Sequence, residues 1–153
     1  VAVAPSGRWE IGNLLPGKYG VRAFNGISYT DIVEVEVGEG ELKEVGFVYS
    51  PLPEDKVFAF PNPASQRTTF RFETPLLPLE AQVLVFDVSG QLVRELTGAE
   101  MTSTAPGVYH AGWDLRNSRG ESVASGVYLF LVKVRGGSEN QTAKVTKKLA
   151  VVK

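Results

Sequence analysis

Short apolar alternations separated by turn residues run through almost the whole chain, and this pattern constrains the fold more than any other feature. In Asp31 to Val37 (DIVEVEV) the valines fall on one side of an extended backbone, and Glu34 and Glu36 fall on the other. The other segments are rich in β-branched and aromatic residues, and Gly, Pro, Asn and Ser separate them. The one helix-compatible stretch, Gln91 to Met101, is interrupted by Gly98. We therefore predict an all-β chain.

A break in the alternation at residues 50–56 divides the chain into two β-sandwich modules. Pro51 and Pro53 cannot donate to a strand ladder, and three charged residues follow them. We predict a partial module over 1–50, a linker over 51–56 and an immunoglobulin-like sandwich of about seven antiparallel strands over 57–153. The expected strands are 8–11, 18–24, 32–37 and 42–49 in the first module, with a turn at Asn25-Gly26, and 57–60, 68–73, 82–88, 92–96, 108–115, 127–135 and 143–152 in the second.

Composition excludes several classes of protein. Lys and Arg number 16 against 17 Asp and Glu, so the net charge is -1 and no field of one sign would attract nucleic acid. The chain has no cysteine, which removes disulfides, thiolate catalysis and cysteine-based zinc sites. The longest apolar run, residues 127–132, is far shorter than the roughly 20 residues of a membrane helix, so we expect no membrane span. The chain starts at Val1 without a signal-peptide pattern, and we interpret it as a piece of a longer protein.

Few side chains have the chemistry for catalysis or metal binding. His110 is the only histidine, and we interpret it as a surface or rim residue of a strand. Glu34 and Glu36 alternate with valines, as the solvated face of a strand does. Asp114 and Asn117 lie near Gly120 and are weak metal candidates, but a turn in which both bond their own backbone fits better. We expect no enzyme activity, no cofactor and no metal.

The aromatic residues allow two interpretations. Rings on one face of a strand can stack on a sugar, so a carbohydrate platform is possible. Core filling is favoured, because most of the rings occupy strand positions with period-2 spacing. This prediction covers Trp9, Tyr19, Phe24, Tyr29, Phe47, Phe58, Phe60, Phe70, Phe72, Phe86 and Trp113.

The first module carries one family resemblance. Residues 6–24, SGRWEIGNLLPGKYGVRAF, resemble the later half of a carboxypeptidase-regulatory-like (prealbumin-like) β-sandwich. The opening strands of that family have no counterpart here. We therefore expect the first module to be unstable alone and to depend on the second module, on upstream chain or on a neighbouring copy, with strand-swapped or edge-paired oligomers possible.

The second module carries a more specific resemblance. The segments Phe60 to Pro63, residues 68–72 and residues 85–96 resemble the Y-P-N-P, T-x-I-x-[YF] and [IV]-Y-[DN]-x-x-G-[QK]-x-V-[RK]-x-L motifs of type IX secretion C-terminal sorting domains. The related immunoglobulin-like domain of the flagellar hook-capping protein has a similar pattern. Later segments match in the same order, with Leu115 where the pattern often has Gly. The positions that carry the match are Pro61, Asn62, Pro63, Gly90, Trp113, Asp114, Gly120, Gly126, Tyr128 and the terminal run 147–153.

The resemblance implies a noncatalytic C-terminal module of an exported bacterial protein, secreted or held at the cell surface. Its partners would be proteins of the secretion machinery and an upstream catalytic or adhesive domain of the same precursor. We expect a basic sorting tail at Lys147, Lys148 and Lys153 on the edge of the last strand. We also expect Trp113 to be largely buried, with Val85 and Leu129 on the inward faces of neighbouring strands. The alternative is a carbohydrate-binding or spacer module of a secreted multidomain enzyme or adhesin.

Overall fold

The structure, a computed structural model, describes residues 1, 2, 4, 7–25, 29–77 and 79–153. The described residues form antiparallel strands with two short 3-10 turns, so the predicted all-β class is confirmed. The chain separates into two compact units, Val1–Tyr49 and Ser50–Lys153.

Among its described residues, the first unit contains one antiparallel pair of strands. β1 (Gly17–Val21) pairs with β2 (Val33–Val37), with Tyr19 opposite Val35. The predicted alternation holds on β2, where Glu34 and Glu36 are exposed while Val35 is half-buried. Residues 8–11 and 42–49 form no regular strand, in contrast to the prediction, and Gly26 of the predicted turn lies outside the described residues. No described residue of 1–49 is fully buried, so this unit has little core to hold further strands.

The second unit is a sandwich of two four-stranded sheets. One sheet has the strand order β10-β9-β5-β6 and the other has the order β3-β4-β8-β7. These orders correspond to the CFG sheet of an immunoglobulin fold, extended by one strand beside C, and to its ABED sheet. The strands are β3 (Phe58–Phe60), β4 (Thr68–Glu73), β5 (Leu79–Phe86), β6 (Leu92–Thr97), β7 (Met101–Ala105), β8 (Val108–Trp113), β9 (Gly126–Gly136) and β10 (Gln141–Val151).

The core lies between the inner faces of the two sheets. Alternate residues of β4, β5, β8 and β9 are buried, as a two-layer sandwich requires. Phe70 on β4 contacts Phe130 on β9 with ring centroids 4.8 Å apart, and Trp113 on β8 meets Tyr128 on β9 edge to face at 6.1 Å. These aromatic contacts join the two sheets directly.

Several positions differ from the sequence-based predictions. Leu52, in the segment predicted as a linker, is 2 % exposed and belongs to the core of the second unit. Leu129 lies on the outer face of β9, because Tyr128 and Phe130 occupy the inward positions. Phe58 and Phe60 also point outward, with 41 % and 74 % of their surfaces exposed, and Phe24 and Tyr29 of the first unit are each more than half exposed, so the core prediction is wrong for these four residues.

Candidate functional site

The Pro61-Asn62-Pro63 segment forms hydrogen bonds with the free edge of the last strand, β10. The Asn62 side chain accepts the Ala150 N–H through Oδ1 at 3.0 Å and donates Nδ2 to the Lys148 carbonyl at 3.1 Å. The peptide bonds before Pro61 and Pro63 are cis. One asparagine side chain therefore supplies both hydrogen bonds that a neighbouring strand would give at this point of the edge.

The backbone of Ala64 continues the closure of that edge. Its N–H donates to the Ala150 carbonyl at 2.8 Å, and its carbonyl accepts the Val152 N–H at 2.8 Å. Ala64 is fully buried and forms a parallel bridge to Val151. The first and last motifs of the family resemblance are thus one structural element, although about 86 positions separate them in the sequence.

The three lysines of the expected sorting tail do not share one face. Lys147 is opposite Phe130 and is half-buried on the inner face of β10, whereas Lys148 is opposite Leu129 and exposed on the outer face. Lys153 is exposed, donates its N–H to Ser125 Oγ at 2.9 Å, and bonds the Ser122 hydroxyl through Nζ. Lys148 is the only one of the three on the outer face of the sheet.

The outer face of the β10-β9-β5-β6 sheet, called here the outer C-terminal face, combines apolar rows with lysines. Residues opposite one another on neighbouring strands share a face. One row is Phe86, Leu129 and Lys148, the next is Leu84, Leu131 and Thr146, and the third is Gln82, Lys133 and Lys144. The four apolar side chains of these rows are half-buried, while Val127, further along the same face, is 48 % exposed.

Lys133 and Lys144 are directly opposite each other on this face. Like charges in that position destabilise a sheet. Among the described residues, no carboxylate lies within 4.0 Å of Lys133, Lys144 or Lys148. These three lysines therefore have no ion-pair partner among the described residues, although Glu80 and Glu95 lie on the same face.

Tyr128 ties the start of β9 to the loop before it. Its hydroxyl donates to the Ala124 carbonyl at 2.8 Å, and the residue is 7 % exposed. Burial raises the pKa of the Tyr128 phenol, and the nearby charge of Asp87 adds to the effect. A tyrosine whose hydroxyl bonds to the backbone a few residues before this strand is the tyrosine corner of immunoglobulin-like sandwiches.

At Gly126 an added Cβ would meet no described atom within 4 Å, so avoidance of a steric clash does not explain this glycine.

Trp113 and the loop after it form a second rigid region. Trp113 is 2 % exposed, and its indole N–H donates to the Arg116 carbonyl at 2.8 Å. Leu115, two residues after Trp113, has a left-handed backbone with φ 57°, and the residue is buried at 1 % exposure. A left-handed backbone favours glycine, which explains why the family pattern often has Gly here; in this chain the side chain contributes to the core instead.

The weak metal candidates use their oxygens within the same loop. Asn117 Oδ1 accepts the N–H groups of Arg119 and Glu121 at 2.9 and 3.0 Å, and Asp114 Oδ1 accepts the Arg116 N–H at 3.2 Å. The hydrogen bond from the Asn117 amide, followed by the charge of Arg119, lowers the pKa of Glu121. Gly120 has φ 82° where the chain reverses. Within the described part of the chain, no three His, Asp or Glu side chains are grouped so as to hold a metal.

The Ser89-Gly90 hairpin turn forms around Asp87. Its Oδ1 accepts the N–H groups of Ser89 and Gln91, both at 2.9 Å, and the Ser89 hydroxyl at 2.6 Å. These bonds lower the pKa of Asp87, with the Ser89 hydroxyl the largest contributor. Gly90 has φ 84° and supplies the left-handed residue of the turn.

His110 lies on the outer face of the β3-β4-β8-β7 sheet, opposite Arg71 and Thr102. Its Nδ1 is 3.3 Å from the Thr104 hydroxyl.

Glu34 and Glu36 are exposed on β2 of the first unit. None of the helical segments in the described residues has the length and apolar character needed to cross a bilayer.

Comparisons with known proteins place these features in context. No protein-family model matches the sequence, and no curated protein matches it. The chain is similar to part of PorU. The crystal structure of dimeric latent PorU from Porphyromonas gingivalis aligns over 91% of this chain with 27% identity and a TM-score of 0.55. The chain spans 12% of the length of PorU.

Two further structures align less well. PorZ, described as an essential bacterial surface component of the type IX secretion system of P. gingivalis, aligns over 65% of this chain and 12% of its own length, with 24% identity and a TM-score of 0.40. The multi-modular cell-surface chitinase ChiW from Paenibacillus sp. str. FPU-7 aligns over 76% of this chain and 10% of its own, with 19% identity and a TM-score of 0.48.

The outer C-terminal face was not found by sequence reasoning. β9 is apolar at nearly every position from Val127 to Val132, so periodicity alone does not distinguish its inner from its outer side. The available signal was that surplus of apolar residues, because a sheet with only one covered side needs apolar residues at alternate positions. Leu129 and Leu131 are the residues that exceed this need.

Proposed function

We propose that this chain is a noncatalytic C-terminal module of an exported bacterial protein, and that it directs secretion and surface sorting by binding proteins of a type IX secretion system. The observation that carries the proposal is the joining of Asn62 to the backbone of Lys148 and Ala150. The first motif of the resemblance, around Asn62, and the last, at the C-terminal strand, contact each other in the fold. The motifs therefore belong to one structural element.

The likeness to PorU supports the same proposal. It covers 91% of this chain, and so parts of both units, at 27% identity. By this proposal the protein is secreted or displayed at the cell surface, and an upstream catalytic or adhesive domain is its cargo.

The recognition surface in this proposal is the outer C-terminal face. Its half-buried leucines and Phe86 offer apolar area, and Lys133, Lys144 and Lys148 offer positive charge that no described carboxylate within 4.0 Å pairs. The opposed Lys133 and Lys144 side chains repel each other and so destabilise the free protein. An acidic group on a partner would offset this repulsion. The partner is therefore a protein with a surface both acidic and apolar.

The test is the export of a periplasmic reporter fused ahead of residues 1–153 in a bacterium with type IX machinery. We expect the fusion to reach the cell surface or the medium. Removing 147–153 would take Leu149 and Val151 from the core, so charge substitutions are the sharper probe. Lys144→Gln with Lys148→Gln should reduce export, while Lys147→Gln, on the inner side of the same strand, should not.

Two outcomes would contradict the proposal at different levels. A folded wild-type fusion that stays periplasmic would exclude the sorting function and favour the spacer or carbohydrate-binding alternative. Normal export of the Lys144 and Lys148 double variant would retain the function but exclude this surface. For the noncatalytic part, substrate turnover by the purified chain that His110→Ala or Asp114→Ala abolishes would be contrary evidence.

A further inference from the structure

The edge strand β3 presents two phenylalanines to solvent. Phe58 and Phe60 are two positions apart and point to the same side, away from the core. The Arg71 guanidinium lies 5.4 Å above the Phe58 ring, which leaves Phe60, at 74 % exposure, as the open aromatic surface. An aromatic ring this exposed has no role in packing the sandwich.

The neighbouring strands provide a polar floor beside Phe60. Phe60 is opposite Thr69 on β4, and Thr69 is opposite Gly112 on β8. Gly112 is exposed, and a Cβ added there would meet no atom within 4 Å. The absence of a side chain at Gly112 is therefore not imposed by packing, and it leaves the floor open beside the Thr69 hydroxyl.

An open cleft of about 680 Å³ lies over this floor, and charged side chains stand at its walls. Arg67 and Arg94 line it together with Asp114. Arg94 is paired with Glu100 at 2.7 Å, and its Nε is buried without a hydrogen-bond partner among the described residues. Arg67 has no carboxylate within 4.0 Å in the described part of the chain, so the cleft has one unneutralised guanidinium.

We propose that this cleft binds an acidic sugar, a hexuronate unit of a polysaccharide. The flat apolar side of a pyranose ring would stack on Phe60, and its hydroxyls would meet Thr69 and Asp114. Its carboxylate would pair with Arg67, since guanidinium and carboxylate form strong bidentate hydrogen bonds. The apolar residues of the lining are Phe60, Pro61 and the nearly buried Trp113, so Phe60 offers the one exposed ring, and the short apolar patch favours a sugar over an amphipathic peptide. Phe60, Thr69 and Gly112 belong to the sheet opposite the outer C-terminal face, and the proposed site does not depend on the proposed sorting function.

The test is a titration of the full chain with trigalacturonic acid, followed by amide chemical shifts and by calorimetry. We expect shifts at Phe60, Thr69 and Gly112. Phe60→Ala, Arg67→Gln and Gly112→Val should each weaken binding about tenfold or more, because each removes a central contact or fills the floor. Gly112→Val has space for its side chain and suits a strand, so its fold should be retained.

Matched controls separate the cleft from general charge effects. Phe24→Ala removes an exposed ring of the first unit, and the Lys144 and Lys148 double variant removes positive charge from the other sheet; both should bind as the wild type does. Trigalacturonic acid methyl ester should bind at least tenfold more weakly than the acid. Absence of binding to the wild type, equal binding of acid and ester, or undiminished binding by folded Phe60→Ala and Gly112→Val would overturn the proposal.

Discussion

Asn62 Oδ1 accepts the backbone N–H of Ala150 at 3.0 Å, across 88 positions of sequence. The same side chain donates to the carbonyl of Lys148. A polar residue of an entering segment thus takes the place of a neighbouring strand for the last strand of the sandwich. The Pro-Asn-Pro sequence around Asn62 is explained by edge closure, without any chemical role for the asparagine.

Asn62→Ala should lower the free energy of unfolding by about 1 kcal/mol, because the two backbone groups it releases are at a rim where water can replace it. Asn62→Asp keeps the acceptor for the Ala150 N–H but places a carboxylate oxygen against the Lys148 carbonyl, so it should not restore the wild-type stability. Denaturant unfolding gives the energies, and amide exchange at Ala150 should accelerate. Gln66→Ala, an exposed change nearby, is the control; unchanged Ala150 exchange in Asn62→Ala would contradict this account.

Trp113→Ala should cost about 3 to 5 kcal/mol, since it opens a cavity between Phe70 and Tyr128 at the centre of the sandwich. Trp9→Ala, at a half-buried tryptophan of the first unit, should cost far less. Both energies follow from chemical denaturation monitored by circular dichroism. A melting temperature of Trp113→Ala equal to that of the wild type would show that the ring is not part of the core.

Tyr128→Phe should destabilise the protein by about 1 kcal/mol, because the Ala124 carbonyl loses its donor while the ring remains buried. Tyr109→Phe is the matched control, since the Tyr109 ring stacks on Phe72 at 5.4 Å and its hydroxyl is in no described hydrogen bond. The two variants are compared by thermal unfolding. Equal effects would mean that the tyrosine corner adds nothing specific.

Asp87 should make stability depend on acid pH. Its pKa is lower in the folded chain than in the unfolded chain, so the carboxylate stabilises the fold above about pH 3.9, the ordinary value for aspartate. That contribution is lost as the pH falls through the folded pKa. Melting temperature measured against pH should therefore fall less steeply on acidification in Asp87→Asn than in the wild type. Glu41 and Glu121 also have lowered pKa values and remain in both proteins, so parallel curves would count against Asp87.

Residues 1–49 expressed alone should show poor amide protection. The unit has one two-stranded sheet and no fully buried residue among those described, and an isolated pair of strands is marginally stable in water. Amide exchange monitored by NMR is the measurement, with residues 1–153 as the reference. A cooperative, well-protected fold of the fragment would refute the expectation.

The second unit was predictable where one side of a strand is buried and the other is not. Val83 and Val85 on β5, and Phe70 on β4, show that alternation, and the predicted strands overlap the observed ones. β7 was missed because Met101 is its sole residue that is not exposed, so the segment carries no apolar period. The first unit was overpredicted, since alternation without a partner layer gives no core to stabilise the strands.

The candidate sites depended on tertiary structure that the sequence does not encode locally. Asn62 and Lys148 meet because two distant segments fold together, and no local pattern specifies that contact. Phe60 looks like a core residue by its spacing and is exposed because Ala59 takes the inward position of β3. The loop of Asp114 and Asn117 was easier to interpret, because its turn chemistry involves close neighbours.

The edge closure also sets the order in which the sandwich can be completed. The hydrogen-bond partners of Asn62 and Ala64 on β10 are synthesised about 86 residues after them. The core residues Leu149 and Val151 are added in the same stretch of chain. Contacts of such long range slow the folding of a domain, because the loop-closure entropy is lost before the contact is gained. A polypeptide that ends before Leu149 would have an unpaired strand edge and an incomplete core. The complete sandwich therefore forms only after Leu149 to Val152 have been synthesised.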